Sequence, residues 1–96
     1  MTPLYLIAVI KPVIDKAEDA RAILTVMMAA AAQEDGCHFY DLVVSDEEPD
    51  TWLMLEKWAS RAAWDAHMLT DHVATGNAAM EHLLREPPEL RFYQSK

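Results

Sequence analysis

Cationic side chains are scarce in this 96-residue chain: 8 Lys and Arg stand against 16 Asp and Glu, a formal net charge of -8. They are scattered from Lys11 to Lys96 without a cluster. That excludes a nucleic-acid partner, whose phosphates demand converging positive charge, and an anionic membrane surface. Cysteine is nearly absent; Cys37 stands alone, so no internal disulfide can form. Only 2 glycines occur, and neither G-x-G-x-x-G nor a P-loop is present, which excludes flavin, nicotinamide and nucleotide sites of those types. Long apolar runs are missing too. The longest, Val26 to Ala32, lies inside a helical pattern and falls far short of the ~18 residues of a membrane span. No charged leader with an apolar core precedes the first strand, so the expected location is cytoplasmic.

Apolar residues, by contrast, are abundant at 52%, ample for one folded domain spanning residues 1–96. A chain of this length buries only about two-thirds of its unfolded surface. So rich a core in so small a chain predicts that a second copy covers part of it, as a homodimer.

Leu4 to Ile10 (LYLIAVI) is β-rich and almost wholly apolar, the pattern of a strand buried on both faces, and Pro12 ends it. Asp15 then stands where an N-cap would, and apolar residues recur at Ala17, Ala20, Leu24, Met27 and Ala31, one helical stripe. Asp35-Gly36 stops that helix by offering a left-handed position. A second strand is predicted over Cys37 to Ser45, a charged turn at SDEEPD, and a third strand over Thr51 to Trp58, the pair forming an antiparallel hairpin. Ser60 caps a helix over 61–69, and Asp71 caps a further helical piece to about Leu84, with Gly76 inside it at a cost of roughly 1 kcal/mol. Pro87-Pro88 terminates it before a last strand, Glu89 to Gln94. The order β-α-β-β-α-β is the ferredoxin-like, α+β arrangement: an antiparallel sheet with helices on one face only. The apolar side chains Trp52, Met54 and Trp58 are expected on the uncovered face, where a second sheet would close over them in a dimeric α/β barrel.

The stretch from Thr51 to His72 carries the chemistry. Alternation puts Trp52, Met54, Glu56 and Trp58 on one face of the third strand, and the following helix carries Trp64 and His67, with His72 five positions on. Indole rings, a carboxylate and two imidazoles are the materials of a small-molecule pocket. A carboxylate on a mostly apolar face has its pKa raised by desolvation, which makes Glu56 a candidate base, unless it is a structural carboxylate paired with a cation such as Arg91. Imidazoles titrate near working pH, which makes His67 and His72 candidates for proton handling. As a metal pair they are poor: on one continuous helix they lie ~140° apart. A break near Thr70-Asp71 would bring them together, but spacing reveals no third ligand, so no metal is expected. Tyr40 shares a face with His38 and Leu42, and Phe39 with Cys37 and Asp41; which set faces the pocket is open at this stage.

Gly36-Cys37, Tyr40-Asp41-Leu42, Glu56-Lys57-Trp58 with Ser60, Ala63, His67 and His72, and Pro88-Glu89-Leu90 with Tyr93 together resemble the antibiotic biosynthesis monooxygenase domain family. The resemblance runs from about Leu4 to Gln94 and implies a dimeric α+β barrel with one small cavity per subunit. It also implies one of several activities: oxidation of phenols or quinols by O2 without metal or flavin, haem degradation, or isomerisation of a phosphorylated sugar. Haem-degrading relatives carry an Asn on the first strand and a His where this chain has Asn77; the first strand here has no Asn. The polyketide oxygenases pair a third-strand Asn with a Trp four residues on; this chain keeps Trp58 but has Met54 at the Asn position.

The expectation is therefore a cofactor-independent monooxygenase acting on a quinol or phenolic aromatic with O2. Glu56, His67 or His72 would remove the proton, Trp58 would wall the ring, and Met54, Tyr40 and Trp64 would line the substrate site. The alternatives are an isomerase of a small polar metabolite using His67 and His72, and a non-catalytic module that binds an aromatic ligand.

Overall fold

The computed structural model describes residues 2–96. Four strands, β1 (Leu4–Ile10), β2 (Cys37–Val44), β3 (Trp52–Trp58) and β4 (Glu89–Gln94), form one antiparallel sheet in the order β2-β3-β1-β4. The helices are α1 (Ala17–Ala31), α2 (Arg61–Met68) and α3 (Asp71–Met80). This is the expected ferredoxin-like α+β fold, with element ends shifted by a residue or so from the sequence reading. The largest shift is at α3, which gives way to a turn at Met80 rather than reaching Leu84.

Local signals explain most boundaries. Ser60 Oγ accepts from the Ala63 amide at 3.1 Å and caps α2 as expected. Thr70, not Asp71, caps α3, its hydroxyl accepting from the Val73 amide at 3.4 Å. Asp15 caps nothing, because a single 3-10 turn (Ile14–Lys16) intervenes and leaves Lys16 at the N-cap of α1 without a side-chain bond. Ser45 Oγ accepts from the amides of Glu47 and Glu48 at 3.1 and 3.0 Å, which tightens the β2–β3 hairpin turn.

The buried stripe of α1, Ala20, Leu24, Met27 and Ala31, packs with one face of the sheet. That face presents Leu4, Leu6, Ala8 and Ile10 from β1 and Met54, Glu56 and Trp58 from β3, all buried. Here the sequence reading is corrected: Met54 and Trp58 point at the helices, not at the helix-free face, and Trp52, paired with Ile10, shares their side. The hairpin turn and the pairing of β3 with β1 set this parity, and alternation within one strand cannot reveal it. The helix-free face is nonetheless apolar. It carries Tyr5, Ile7 and Val9 with their partners Leu53, Leu55 and Tyr93, flanked by Phe39 and Val43. Accordingly β1 alternates between buried and half-buried positions instead of being sealed on both sides.

A register shift between Cys37 and Phe39 breaks the alternation of β2. Cys37 pairs with Trp58 and Tyr40 with Glu56, so both fall on the helix side, while Phe39 pairs with Lys57 on the other. The parity expected for Cys37 is thus reversed by a β-bulge, which inserts one unpaired residue, here His38.

Gly36 adopts φ +84 after α1 has ended, so it shapes the entry into β2 rather than the helix end itself. Its carbonyl accepts from the Ala59 amide at 2.7 Å, and a Cβ here would lie 2.9 Å from the Ala63 Cβ. Gly36→Ala should therefore lower stability by about 2 kcal/mol, from left-handed backbone strain and the clash with α2. Urea unfolding of the two proteins would measure it, and an unchanged midpoint would contradict this account of the turn.

Candidate functional site

Between the sheet and the helices lies a cavity of about 750 Å³, within the range of small-molecule sites. Small and flexible residues make the room: Ala8 stands between Leu6 and Ile10 on the sheet wall, beside Met54, while Leu24 and Met27 from α1 and Val73 from α3 close the other side. The walls are predominantly apolar, and the polar groups fall at two ends. Tyr40, Glu56 and His67 stand at one; Glu81, Arg85 and Glu86 stand towards the other.

Glu56 is 4% exposed, and its Oε1 accepts from Trp58 Nε1 at 2.9 Å. Burial pushes its pKa up to about 7; the indole N–H works against the rise and the nearby Glu34 charge adds to it. Arg91 is not its partner: that side chain pairs with Glu89 across the sheet from the cavity. The hydroxyl of Tyr40 is held well above its ordinary range, first by burial and then by the Glu56 charge, so it stays a neutral donor.

Trp58 is fully buried and lies behind the cavity wall rather than in it. Its ring packs 4.5 Å from the His67 ring and 6.4 Å, edge-on, from Tyr40, so it braces both from beneath. Trp64 does reach the cavity, and its other contact is an edge-on stack with Phe92 at 5.0 Å. The Arg61 guanidinium covers the rings of both Trp64 and Phe92 at 4.9 and 4.5 Å. Met54 and Tyr40 line the cavity as expected.

The two histidines meet through a residue the sequence reading missed. His67 is 3% exposed near the end of α2, and its Nδ1 lies 2.6 Å from Glu34 Oε2. The same oxygen lies 2.8 Å from Nε2 of His72. A carboxylate accepts, so in this geometry both ring nitrogens donate. The break between α2 and α3 makes the meeting possible. Thr70 donates its hydroxyl to the His67 carbonyl at 2.7 Å and caps α3, which turns the chain and re-aims His72. The turn holding Glu34 is fixed in its own right, by Glu34 N to Ala31 O at 3.0 Å and Cys37 N to Glu34 O at 3.2 Å. Glu34 is therefore the third donor that spacing failed to reveal, because it lies 33 and 38 positions from the imidazoles. An acidic side chain just before a turn glycine is too common a feature to have signalled it.

His67 lines the cavity, while His72 is not on its wall and reaches it only through Glu34. Cys37 is a half-buried thiol whose pKa burial raises, which disfavours the thiolate. Of the cations that might converge on a phosphate, Lys11, Arg61 and Arg91, each has an acidic partner, Glu89 in the case of Arg91. Lys11 pairs with Glu86 at 3.1 Å and Arg61 with Asp65 at 3.3 Å, while Arg85 donates to the carbonyls of Pro12 and Asp50 at 3.1 and 2.9 Å. Among the described residues, no helix is long and apolar enough to cross a membrane.

Known proteins share the fold. Rv0793 of Mycobacterium tuberculosis, provisionally named a monooxygenase, is 33% identical over 86 residues, covering 90% of this chain and 84% of that protein. Its structure superposes with a TM-score of 0.92 over 98% of this chain and 95% of that one, at 30% identity. A Synechocystis protein, sll1783, of uncharacterised function, is 29% identical over 85 residues; these are 88% of this chain but 56% of that protein, so the chain spans little more than half of it. A conserved protein from Methanosarcina mazei shares the fold at a TM-score of 0.96 and 22% identity, over 100% of this chain and 95% of that one. The sequence profile of the antibiotic biosynthesis monooxygenase family matches residues 3–79, and the chain belongs to that family.

Proposed function

We propose that this protein oxidises a quinol or phenolic aromatic with O2, using its own side chains to ionise the substrate and the substrate as the source of electrons. The observation that carries the reading is the cavity wall where Glu56, His67 and Tyr40 converge on an otherwise apolar space. A flat, electron-rich ring fits such a space, edge-on to Tyr40 and Trp64.

Two bases are in place. Glu56, with its pKa near 7, is matched to abstracting a proton at neutral pH. His67 donates from Nδ1 to Glu34, which fixes the tautomer with a lone pair on Nε2, the nitrogen left to act as base. Glu34 and Trp58 are then positioning residues, and His72 acts through Glu34. Once deprotonated, the substrate anion gives one electron to O2, and the resulting radical pair combines into a peroxide on the ring carbon. Loss of water from that peroxide leaves a carbonyl: one oxygen atom enters the product, the other departs as water, and the two hydrogens lost come from the substrate. The predominantly apolar walls shield the anion and the peroxide from premature protonation. Isomerisation of a sugar phosphate is disfavoured by the cations, since Lys11, Arg61 and Arg85 are all engaged elsewhere.

Oxygen uptake by metal-stripped protein on a panel of benzo-, naphtho- and anthraquinols and anthrones tests the reading. The expected result is uptake above the spontaneous rate and a product heavier by 14 mass units, with the rate falling about 100-fold or more in Glu56→Gln or His67→Ala. Activity should rise with pH through about 7 as Glu56 ionises. Stability moves the other way. The folded state holds the Glu56 proton to a higher pH than the unfolded chain, so the contribution of this group is complete at low pH and is lost as pH rises towards 7. Turnover on any of these substrates that survives both substitutions would sink the assignment of bases, and no turnover at all would sink the reaction.

The apolar helix-free face supports a homodimer in which two sheets cover one another. Sedimentation equilibrium should give twice the 10.9 kDa chain mass, and Leu55→Asp should return the monomer. A wild-type monomer at micromolar concentration would refute the pairing.

A further inference from the structure

We infer that Glu34, His67 and His72 form a binding site for a divalent transition-metal ion of the zinc type, on the same residues that the proposed oxidation uses for base catalysis and positioning. Glu34 Oε2, His67 Nδ1 and His72 Nε2 all lie within 4.8 Å of one another. Around an ion with bonds of ~2.0–2.2 Å, tetrahedral ligand atoms sit ~3.4 Å apart. The present separations from Oε2, 2.6 and 2.8 Å, need open by less than an ångström to reach that spacing.

The donor set decides the kind of ion. Two imidazole nitrogens and one carboxylate oxygen suit zinc, iron(II), cobalt or nickel, and they are a poor match for magnesium or calcium, which require oxygen. Three protein ligands leave at least one position for water. The gradient of exposure supplies a route to it: the side chain of His67 is 4% exposed, Glu34 15% and His72 29%, so the site opens to solvent on the His72 side.

The scaffold is built as metal sites require. The three ligands come from three separate segments, the turn after α1, the end of α2 and the first turn of α3. Each segment is held by hydrogen bonds of its own: the Glu34 turn through Ala31 and Cys37, and the junction between α2 and α3 through the Thr70 hydroxyl, which donates to the His67 carbonyl and accepts from the Val73 amide. Trp58 packs on the His67 ring at 4.5 Å and limits its rotation. In the hydrogen-bonded form two protons occupy the space between the carboxylate and the rings. An ion replaces both, and the two forms of the cluster exclude one another.

Calorimetric titration of the metal-stripped protein with Zn2+ tests the assignment, with Mg2+ as the control. Co2+ serves as a spectroscopic probe. The expected result is one Zn2+ per chain with a Kd of about 10 μM or tighter, no heat with Mg2+, and a visible ligand-field band from bound Co2+. Glu34→Gln and His72→Ala, each checked for folding by circular dichroism, should weaken Zn2+ at least about 10-fold. The double substitution His38→Ala/His82→Ala, at the remaining imidazoles, should leave the isotherm unchanged. Binding that survives both Glu34→Gln and His72→Ala, or that disappears with His38 and His82, would overturn the site. So would the absence of any binding below about 1 mM. Because the readout is binding and not turnover, failure of the oxidation reading leaves this result interpretable, and the reverse holds as well.

Discussion

One carboxylate oxygen organises the polar end of the cavity. Oε2 of Glu34 is shared by His67 and His72, and through them it ties the turn after α1 to the break between α2 and α3. These are the junctions where the helical layer would otherwise be loosest, because each is a helix end with unpaired backbone groups. A hydrogen bond involving an ionised carboxylate contributes about 1.5–3 kcal/mol, and here two of them converge on a Glu34 side chain that is 15% exposed. The bond also fixes a tautomer. With Nδ1 donating to Glu34, the free lone pair of a neutral His67 ring falls on Nε2.

The second carboxylate works by the opposite logic. Glu56 sits in the sheet, where desolvation outweighs the single indole N–H that Trp58 offers it. Glu34 receives two donors and Glu56 only one. Trp58 links the two arrangements, bonding to Glu56 and stacking on His67 from a position with no exposure of its own. Its value lies in support: an indole this deep does not line the cavity, but it contacts the two groups that do. The aromatic wall passes instead to Tyr40 and Trp64.

Element order, the hairpin and the apolar stripe of α1 were legible in the sequence because each rests on local periodicity and turn chemistry. So was the break near Thr70-Asp71, where a capping residue follows a helical pattern. The third strand's shared face of Met54, Glu56 and Trp58 was legible as well, but not the direction in which it points. That depends on pairing with β1, a non-local fact, and it moved Met54 and Trp58 from the open face to the core. The bulge at His38 likewise carried Cys37 to the side of Tyr40. Glu34 was invisible for a related reason. Its partners are 33 and 38 positions away, and its local context of charged residues before a glycine reads as a solvated turn.

The tautomer of His67 is the most direct test of the shared carboxylate. Long-range 1H–15N correlation of the imidazole rings would observe it, in the wild-type chain and in Glu34→Gln. The expected spectrum shows His67 protonated at Nδ1, with the proton shifted strongly downfield by its bond to Glu34, and that signal lost or moved upfield in the variant. A His67 ring protonated at Nε2, or one that ignores the loss of the Glu34 charge, would contradict the central role given to this residue.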